Sequence, residues 1–397
     1  MFLGASYAQL PPINYARSKG YYIITCDNRP NNPGHSLADE TYDISTIDKE
    51  AILQIAKKEK IDGLLTFASD VSAPTVAYVA ERLNLPGNPV DAIDTLVYKS
   101  KFRNYTNEKK IQPITFSVFE LKKKNDAVEF VKSHKLPLVV KPIDASGSRG
   151  VSVIYDIENA CVQIENAFAE SISKKIIIEQ YIPKKGKQVC GDGFMENGKL
   201  KFIDFGDGHY YEDGTHMAPW GETFPSTHRS ENFLEAKINI ENLLSSIGFC
   251  RGPFNIDILV DKNDKLFINE IGPRSGGNYI PTATLLNTGV DMIEGSVECA
   301  LSNDYELNVS VQRNNNYFSC YMIHSISGSG ILKEIKMTEE VKQYIYMEHP
   351  YIQLQEQVNP FYKGSEAIGN AIMKFDSFLE MQKFYEEINN HFEIILE

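Results

Sequence analysis

The sequence predicts an α/β chain, with α+β organisation in its middle part. Three observations carry that expectation. Strand-like and helix-like runs alternate over the first ninety or so residues. Hairpin signals follow in the middle, and a strand, glycine turn, strand and helix close the chain. A chain of 397 residues exceeds one ordinary core, so several domains are expected. Its 42% hydrophobic and 23% charged residues are those of a globular protein.

The elements follow in order. "YYIITCD" (21–27) and "IDGLLTF" (61–67) are apolar, β-rich runs. Between them "DKEAILQIAKKEK" spaces its apolar residues for a helix with a charged outer face, and "APTVAYVAERLN" is a second helix closed by "LPG". This alternation predicts a parallel sheet in a first domain over 1–95. The opening "FLGAS" is not GxGxxG, so a dinucleotide site there has weak support. "AIDTLVYKSKFRNYTNEK" is one helix, and "LPLVVKPI" (136–143) and "VSVIYD" (151–156) are strands of a hairpin. "ENACVQIENAFAES" is a helix, "KIIIEQYI" (175–182) a strand, and Asn197-Gly198 a type I′ turn between two more strands. Residues 206–230 show no period and are expected to be a long aromatic, glycine-rich loop. "NFLEAKINIENLLSSIG" is a helix. A second domain is expected over 96–305, divided at 178, and a small α/β module over 306–397.

Charge and composition exclude several classes. A formal net charge of −13 argues against nucleic-acid and anionic-membrane surfaces, and no apolar run approaches the roughly 18 to 20 residues of a membrane span. The N-terminus lacks the basic region and apolar core of a signal peptide. Six cysteines stand singly without a CxxC pair, so neither a zinc site nor a disulfide framework is suggested, and a cytoplasmic location is expected. No GxSxG or other nucleophile signature occurs.

Two stretches carry chemistry. "KPIDASGSRG" (141–150) ends a strand on Lys141 and runs into small residues. It is either a surface turn or a loop whose backbone N–H groups fold over phosphates. "GPFNIDILVDKNDKLFINEIGPRSGGN" (252–278) is a hairpin turning at Asn263 and Asp264, which places Asp257 opposite Glu270. Like charges in that position are destabilising unless a divalent cation lies between them. An exposed face with both acids solvated, or a register one residue off, is the alternative.

Taken in order, a helix lysine (Lys99, with Arg103 a turn later), a strand lysine (Lys141), a glycine loop, the strand "IIIEQYI", the acids Asp257 and Glu270 and a trailing "PR" resemble the ATP-grasp superfamily of carboxylate–amine ligases. The resemblance runs over roughly residues 1 to 330. It implies a pre-ATP-grasp domain, a two-subdomain ATP-grasp fold, and ATP with Mg²⁺ or Mn²⁺ as cofactors. It also implies roles by position. Lys99 and Lys141 resemble the phosphate-contacting lysines. Ser146, Gly147, Ser148 and Gly150 lie in the loop over the triphosphate. Glu179, Gln180, Tyr181 and Ile182 form the adenine hinge, read through their backbone. Gln188 stands where an acid near the ribose is common. Asp257 and Glu270 are the metal acids, and Arg274 steers the substrate carboxylate or intermediate. Many members have Glu-x-Asn at the second metal position, whereas this chain has Gly272, which leaves water, phosphate or Asn255 to complete one metal's shell.

The implied activity is phosphoryl transfer from ATP to a substrate carboxylate, then attack on the acyl phosphate by an amine. Partners are small-molecule carboxylates and amines, with a homodimer as a family expectation. An ATP-binding sensor without turnover is the alternative. A nicotinamide oxidoreductase rests on the first ninety residues alone.

Overall fold

The first sheet is parallel, as the strand–helix alternation predicts. Its order is Glu40–Tyr42, Ile24–Cys26, Phe2–Leu3 and Leu65–Thr66. The computed structural model describes residues 1–145, 147–211, 216–228, 230–310 and 315–397. Helices Lys49–Glu59 and Ala73–Leu83 cover that sheet with Ile52, Leu53, Ala56 and Val79 turned inward. Asp48 caps the first of them through the Ala51 N–H, and Lys60 ends it in a left-handed conformation.

The expected single helix after residue 92 is two helices, Val90–Val97 and Lys99–Glu108. They break at Tyr98, whose φ of −84° and ψ of 108° are extended. The break sets Lys99 at the start of a new helix, with its backbone N–H on the Ile143 carbonyl at the end of the lysine strand. A four-stranded antiparallel sheet then orders Phe116–Glu120, Lys175–Gln180, Leu138–Pro142 and Ser152–Ile154. The predicted hairpin around residues 141 to 150 is present, pairing Leu138 with Ile154.

The largest sheet has nine strands. Its main path runs Leu266–Gly272, Gly252–Val260, Gln188–Glu196, Gly206–His209, Gly221–Thr223, Tyr317–Ile323, Gly369–Phe375 and Ile345–Pro350, with Lys199–Ile203 paired to Gln188–Glu196. The Asn197-Gly198 turn falls where expected, with φ of 51° and 74°. One prediction is overturned. Residues 206–230 are not a loop throughout, because Gly206–His209 and Gly221–Thr223 are inner strands of this sheet. Their glycines and single polar residues conceal the alternation that marks a strand. Residues 212–215 and 229 of that stretch lie outside the described residues.

The main core lies under one face of this sheet. Ile256, Ile258, Val260, Ile268 and Ile271 pack with Phe102, Phe205, Phe233 and Leu243. Each such aliphatic side chain contributes about 1.5–3 kcal/mol by leaving water. Strand Lys175–Gln180 crosses the expected division at 178, and the nine-stranded sheet draws strands from both sides of residue 305. No helix among the described residues is long and apolar enough to cross a membrane.

Candidate functional site

Asp257 and Glu270 do face each other across the ladder, but by a different route from the one the turn suggested. The hairpin pairs Val260 with Leu266 and Ile258 with Ile268, so its turn centres on Asn263 with Asp264 left-handed at φ 62°. Asp261 holds the turn by accepting from the N–H groups of Asn263 and Lys265. Continued regularly, that register would set Asp257 against Asn269 and turn Glu270 into the core. A β-bulge between the two registers inserts Asn269 as an extra residue. It returns Glu270 to the polar face while Ile268 and Ile271 both stay in the core.

The acids have distinct surroundings. Burial raises the Asp257 carboxyl to about 7 and the Glu270 charge adds to it, while a Gln188 hydrogen bond and the Arg274 charge oppose. Glu270 lies 3.3 Å from the Lys99 ammonium, which also donates to the Ala145 carbonyl at 2.9 Å. Lys99 therefore ties the acid pair to the start of the glycine loop.

That loop bends through left-handed residues, Gly147 (φ 64°), Ser148 (φ 60°) and Gly150 (φ 67°). A Cβ at Gly150 would come within 2.9 Å of Glu170 and 3.0 Å of Pro142, so only glycine fits there. Ser146 lies outside the described residues.

Lys141 is not a free ammonium at the strand end. It pairs with Glu179 at 2.5 Å, and Glu179 also receives the Arg103 Nε at 2.8 Å. These side chains are 7%, 4% and 3% exposed for Lys141, Glu179 and Arg103. Burial pushes Glu179 up, but Arg103 and Lys141 outweigh it and hold the carboxyl at about 2. Burial pulls Lys141 below the ordinary lysine range, with Glu179 opposing. Two cations against one carboxylate leave a buried excess of positive charge that suits an anion such as a phosphate. Arg103 also donates to the carbonyl of the bulged Asn269 at 2.9 Å, and the Asn269 amide oxygen lies 3.4 Å from Lys141. Nothing in the sequence marked Asn269, because a bulge has no signature in an apolar run.

The other expected residues stand as follows. Glu179 lies in the ladder between Phe116 and Val139 with its side chain on Lys141 and Arg103, and the Gln180 N–H donates to the Thr115 carbonyl. Of the four hinge residues, Tyr181 and Ile182 alone lie beyond the strand. Gln188 stands beside the acids, donating to the Tyr210 hydroxyl at 2.9 Å and bonded to Asp257. Asn255 gives its amide to Asp192 at 2.9 Å and to the Gly191 carbonyl, so its N–H₂ is spent away from the acid pair. Arg274 is pinned to Asp70 of the first domain at 2.6 Å. A Cβ on Gly272 would lie 2.5 Å from Asp70 Oδ1 and 2.9 Å from Arg274 Cζ. The space of the missing Asn side chain is taken by that ion pair. Among the described residues no group of three or more His, Cys, Asp or Glu side chains is gathered as a cation cage.

The aromatic residues of 206–230 divide between core and site. Trp220 and His209 pack with Tyr385, and His209 bonds to Thr223, so both belong to the core. Tyr210 belongs to the site. Burial and the charges of Asp257, Glu222 and Glu270 raise its hydroxyl well above the tyrosine range.

Residues 134–283 match the family model described as an ATP-grasp domain. The chain carries an ATP-grasp domain. That domain includes Lys141, the glycine loop, Glu179 and the whole acid hairpin. The complete chain is similar to the L-amino acid ligase from Bacillus licheniformis, with a TM-score of 0.81 and 20% identity over 100% of this chain and 98% of that one. It is also similar to phosphoribosylglycinamide synthetase from Anaerococcus prevotii, with a TM-score of 0.76 and 21% identity over 100% and 98%. These likenesses establish the fold. The carbamoyl phosphate synthase large chain of Clostridium perfringens (strain 13 / Type A) is 24% identical over 275 residues, which is 68% of this chain and 25% of that one. The chain thus spans about a quarter of the length of that relative.

Proposed function

We propose that the chain is an ATP-dependent ligase that joins a carboxylate to an amine through an acyl phosphate, releasing ADP and phosphate. The observation that carries this reading is the convergence of opposed Asp257 and Glu270, Lys99 bridging to the glycine loop, and the cation-rich trio around Lys141. Lys141 and Lys99 would hold nucleotide phosphates, and the loop backbone would supply N–H donors at close range. Tyr181 and Ile182 would meet the base. Asp257 and Glu270, which repel each other as they stand, fit a divalent cation such as Mg²⁺, with the rest of its oxygen shell drawn from phosphates and water. Such a cation would offset charge on the transferred phosphoryl group. Arg274, fixed by Asp70, would present its remaining N–H groups to the carboxylate or the acyl phosphate. The reading places the chain in the cytoplasm, where ATP is supplied, as a possible homodimer.

The experiment is ADP release from Mg-ATP with pooled carboxylates and amines. The names of the similar proteins put amino acids and phosphoribosylamine first in those pools. Pool-dependent release supports a ligase, and splitting the pools names its substrates. Silence with ATP still bound, read by thermal shift, would instead favour an ATP sensor. The sequence feature favouring a sensor was the missing Asn at 272, and the Asp70–Arg274 pair accounts for its loss.

A further inference from the structure

The acid pair and the lysines leave one polar group on the same sheet face without a task. Directly paired residues of an antiparallel sheet share a face. The register therefore sets Glu270, Asp257, Cys190 and Gly206 in one row, and Gln188, Gly208, Glu222 and Cys320 in the next. Three strand spacings of about 4.8 Å separate Asp257 from Glu222, roughly 14 Å across the sheet. The strand between them presents glycines on this face. A Cβ at Gly208 would lie 3.0 Å from the Tyr210 ring, and one at Gly206 would lie 2.7 Å from Phe224. Among the described residues, the Tyr210 and Phe224 rings lie over the strip that joins the acid pair to Glu222, and Ile280 packs with Phe224 and Cys190 beside them.

Glu222 is 3% exposed, and its Oε2 accepts from the Asn278 amide. Asn370, fully buried, donates to Asn278 Oδ1 at 2.5 Å. The Asn370 Oδ1 has no hydrogen-bond partner. No lysine or arginine pairs with Glu222 among the described residues. Both Asn370 N–H groups go to Asn278, one Asn278 N–H goes to Glu222, and the Asn370 Oδ1 acceptor remains unmet. Each unmet buried acceptor costs about 1–3 kcal/mol, so the arrangement suits a ligand rich in N–H donors. The backbone is strained to hold it, since Asn278 (φ 50°) and Tyr279 (φ 59°) are both left-handed.

We propose that Glu222, held by Asn278 and Asn370, receives the amino group of the amine substrate, which selects small primary amines that are cationic in water. This rests on the ligase reading. It places the amine at one end of the strip and the phosphoryl chemistry at the other, so the two substrates approach along one sheet face. Burial, with Asp257 and Asp192 adding to it, holds the Glu222 carboxyl well above its ordinary range. An incoming ammonium is the charge that would stabilise its ionised form.

The test separates the two halves of the reaction. Hydroxylamine traps an acyl phosphate as a hydroxamate, and as a neutral nucleophile at pH 7 it does not depend on an ammonium site. Wild type and Glu222→Gln are assayed with Mg-ATP and a carboxylate pool. Either 0.2 M hydroxylamine or an amine set of the twenty common amino acids and methylamine is then added. The expected result is equal hydroxamate from both proteins, with kcat/KM for the amine at least ten-fold lower in the variant. Equal amine kcat/KM in both proteins overturns the proposal. So does loss of hydroxamate in a variant that melts normally, because Glu222 would then serve the carboxylate or the nucleotide. No hydroxamate from wild type removes the ligase reading and this inference with it. If the Gln variant melts early, Glu222→Asp keeps the acid one methylene further back. It should raise the amine KM without lowering the hydroxamate yield.

Discussion

Glu179 is the residue on which the buried charge around Lys141 balances. It is the one carboxylate between two buried cations, so the trio Arg103–Glu179–Lys141 carries a net charge of +1. The two ways of breaking it should therefore differ in sign. Glu179→Gln leaves both cations uncompensated and should cost about 3–5 kcal/mol in urea unfolding. Lys141→Met leaves a balanced Arg103–Glu179 pair, so it should cost little or even stabilise, while weakening ATP at least ten-fold by titration. A Lys141→Met protein that binds ATP normally would contradict the phosphate role. His324 offers a separate check on the C-terminal core. It donates through Nδ1 to the Met322 carbonyl and accepts at Nε2 from the Tyr211 hydroxyl, and burial lowers its pKa to about 4. In the unfolded chain it titrates near 6.5. Between those values the unfolded chain binds the extra proton, so this stability is full above pH 6.5 and is lost as pH falls toward 4. The loss is on the order of 3 kcal/mol. His324→Phe should be less stable at pH 7, yet lose less between pH 7 and pH 5 than wild type. Parallel losses in the two proteins would show that His324 does not titrate this way.

At the scale of the element, the acid hairpin shows what sequence alone can give. A turn read at Asn263 and Asp264 set Asp257 opposite Glu270, and that pairing is present, but it is reached through a bulge and not through regular alternation. The bulge at Asn269 was not legible. It answers to where the turn closes and to Arg103 waiting for its carbonyl, and neither is local to the hairpin. The strands at 206–209 and 221–223 were missed for a related reason. Gly206 and Gly208 leave room for the Phe224 and Tyr210 rings, and Gly221 for Tyr385 and the Cys320 carbonyl, which only the folded chain reveals. Gly272 makes the same point in a testable form. An Asn there would restore the family's usual ligand type but would collide with Asp70 and Arg274. Gly272→Asn should destabilise by about 1–3 kcal/mol. Combined with Asp70→Ala, its penalty should shrink, and the double-mutant cycle should show that coupling. Additive losses would mean that the two positions do not compete for space.

Across the whole molecule, the four-stranded sheet that presents Lys141 and the glycine loop also touches the C-terminal region. Lys363 donates to Glu170 at 2.7 Å, and Glu170 sits at the end of helix Ile157–Glu170, against Gly150 of the loop. Residues near 363 reach the other way as well, with Tyr362 stacked on His216 at 4.6 Å. The fold thus links the glycine loop through the C-terminal region to the 206–230 segment, a long-range arrangement that no local pattern encodes. Both members of the ion pair are about a third exposed, so its worth to global stability is small, within about 1 kcal/mol. Its effect should instead fall on how long the loop stays down over a bound nucleotide. Lys363→Glu sets two carboxylates against each other and should speed release of a fluorescent ATP analogue several-fold in stopped flow, with melting almost unchanged. Adding Glu170→Lys restores the pair with its charges exchanged and should bring the release rate most of the way back. Unaltered release in Lys363→Glu, or no recovery in the exchanged pair, would leave this contact without a part in nucleotide retention.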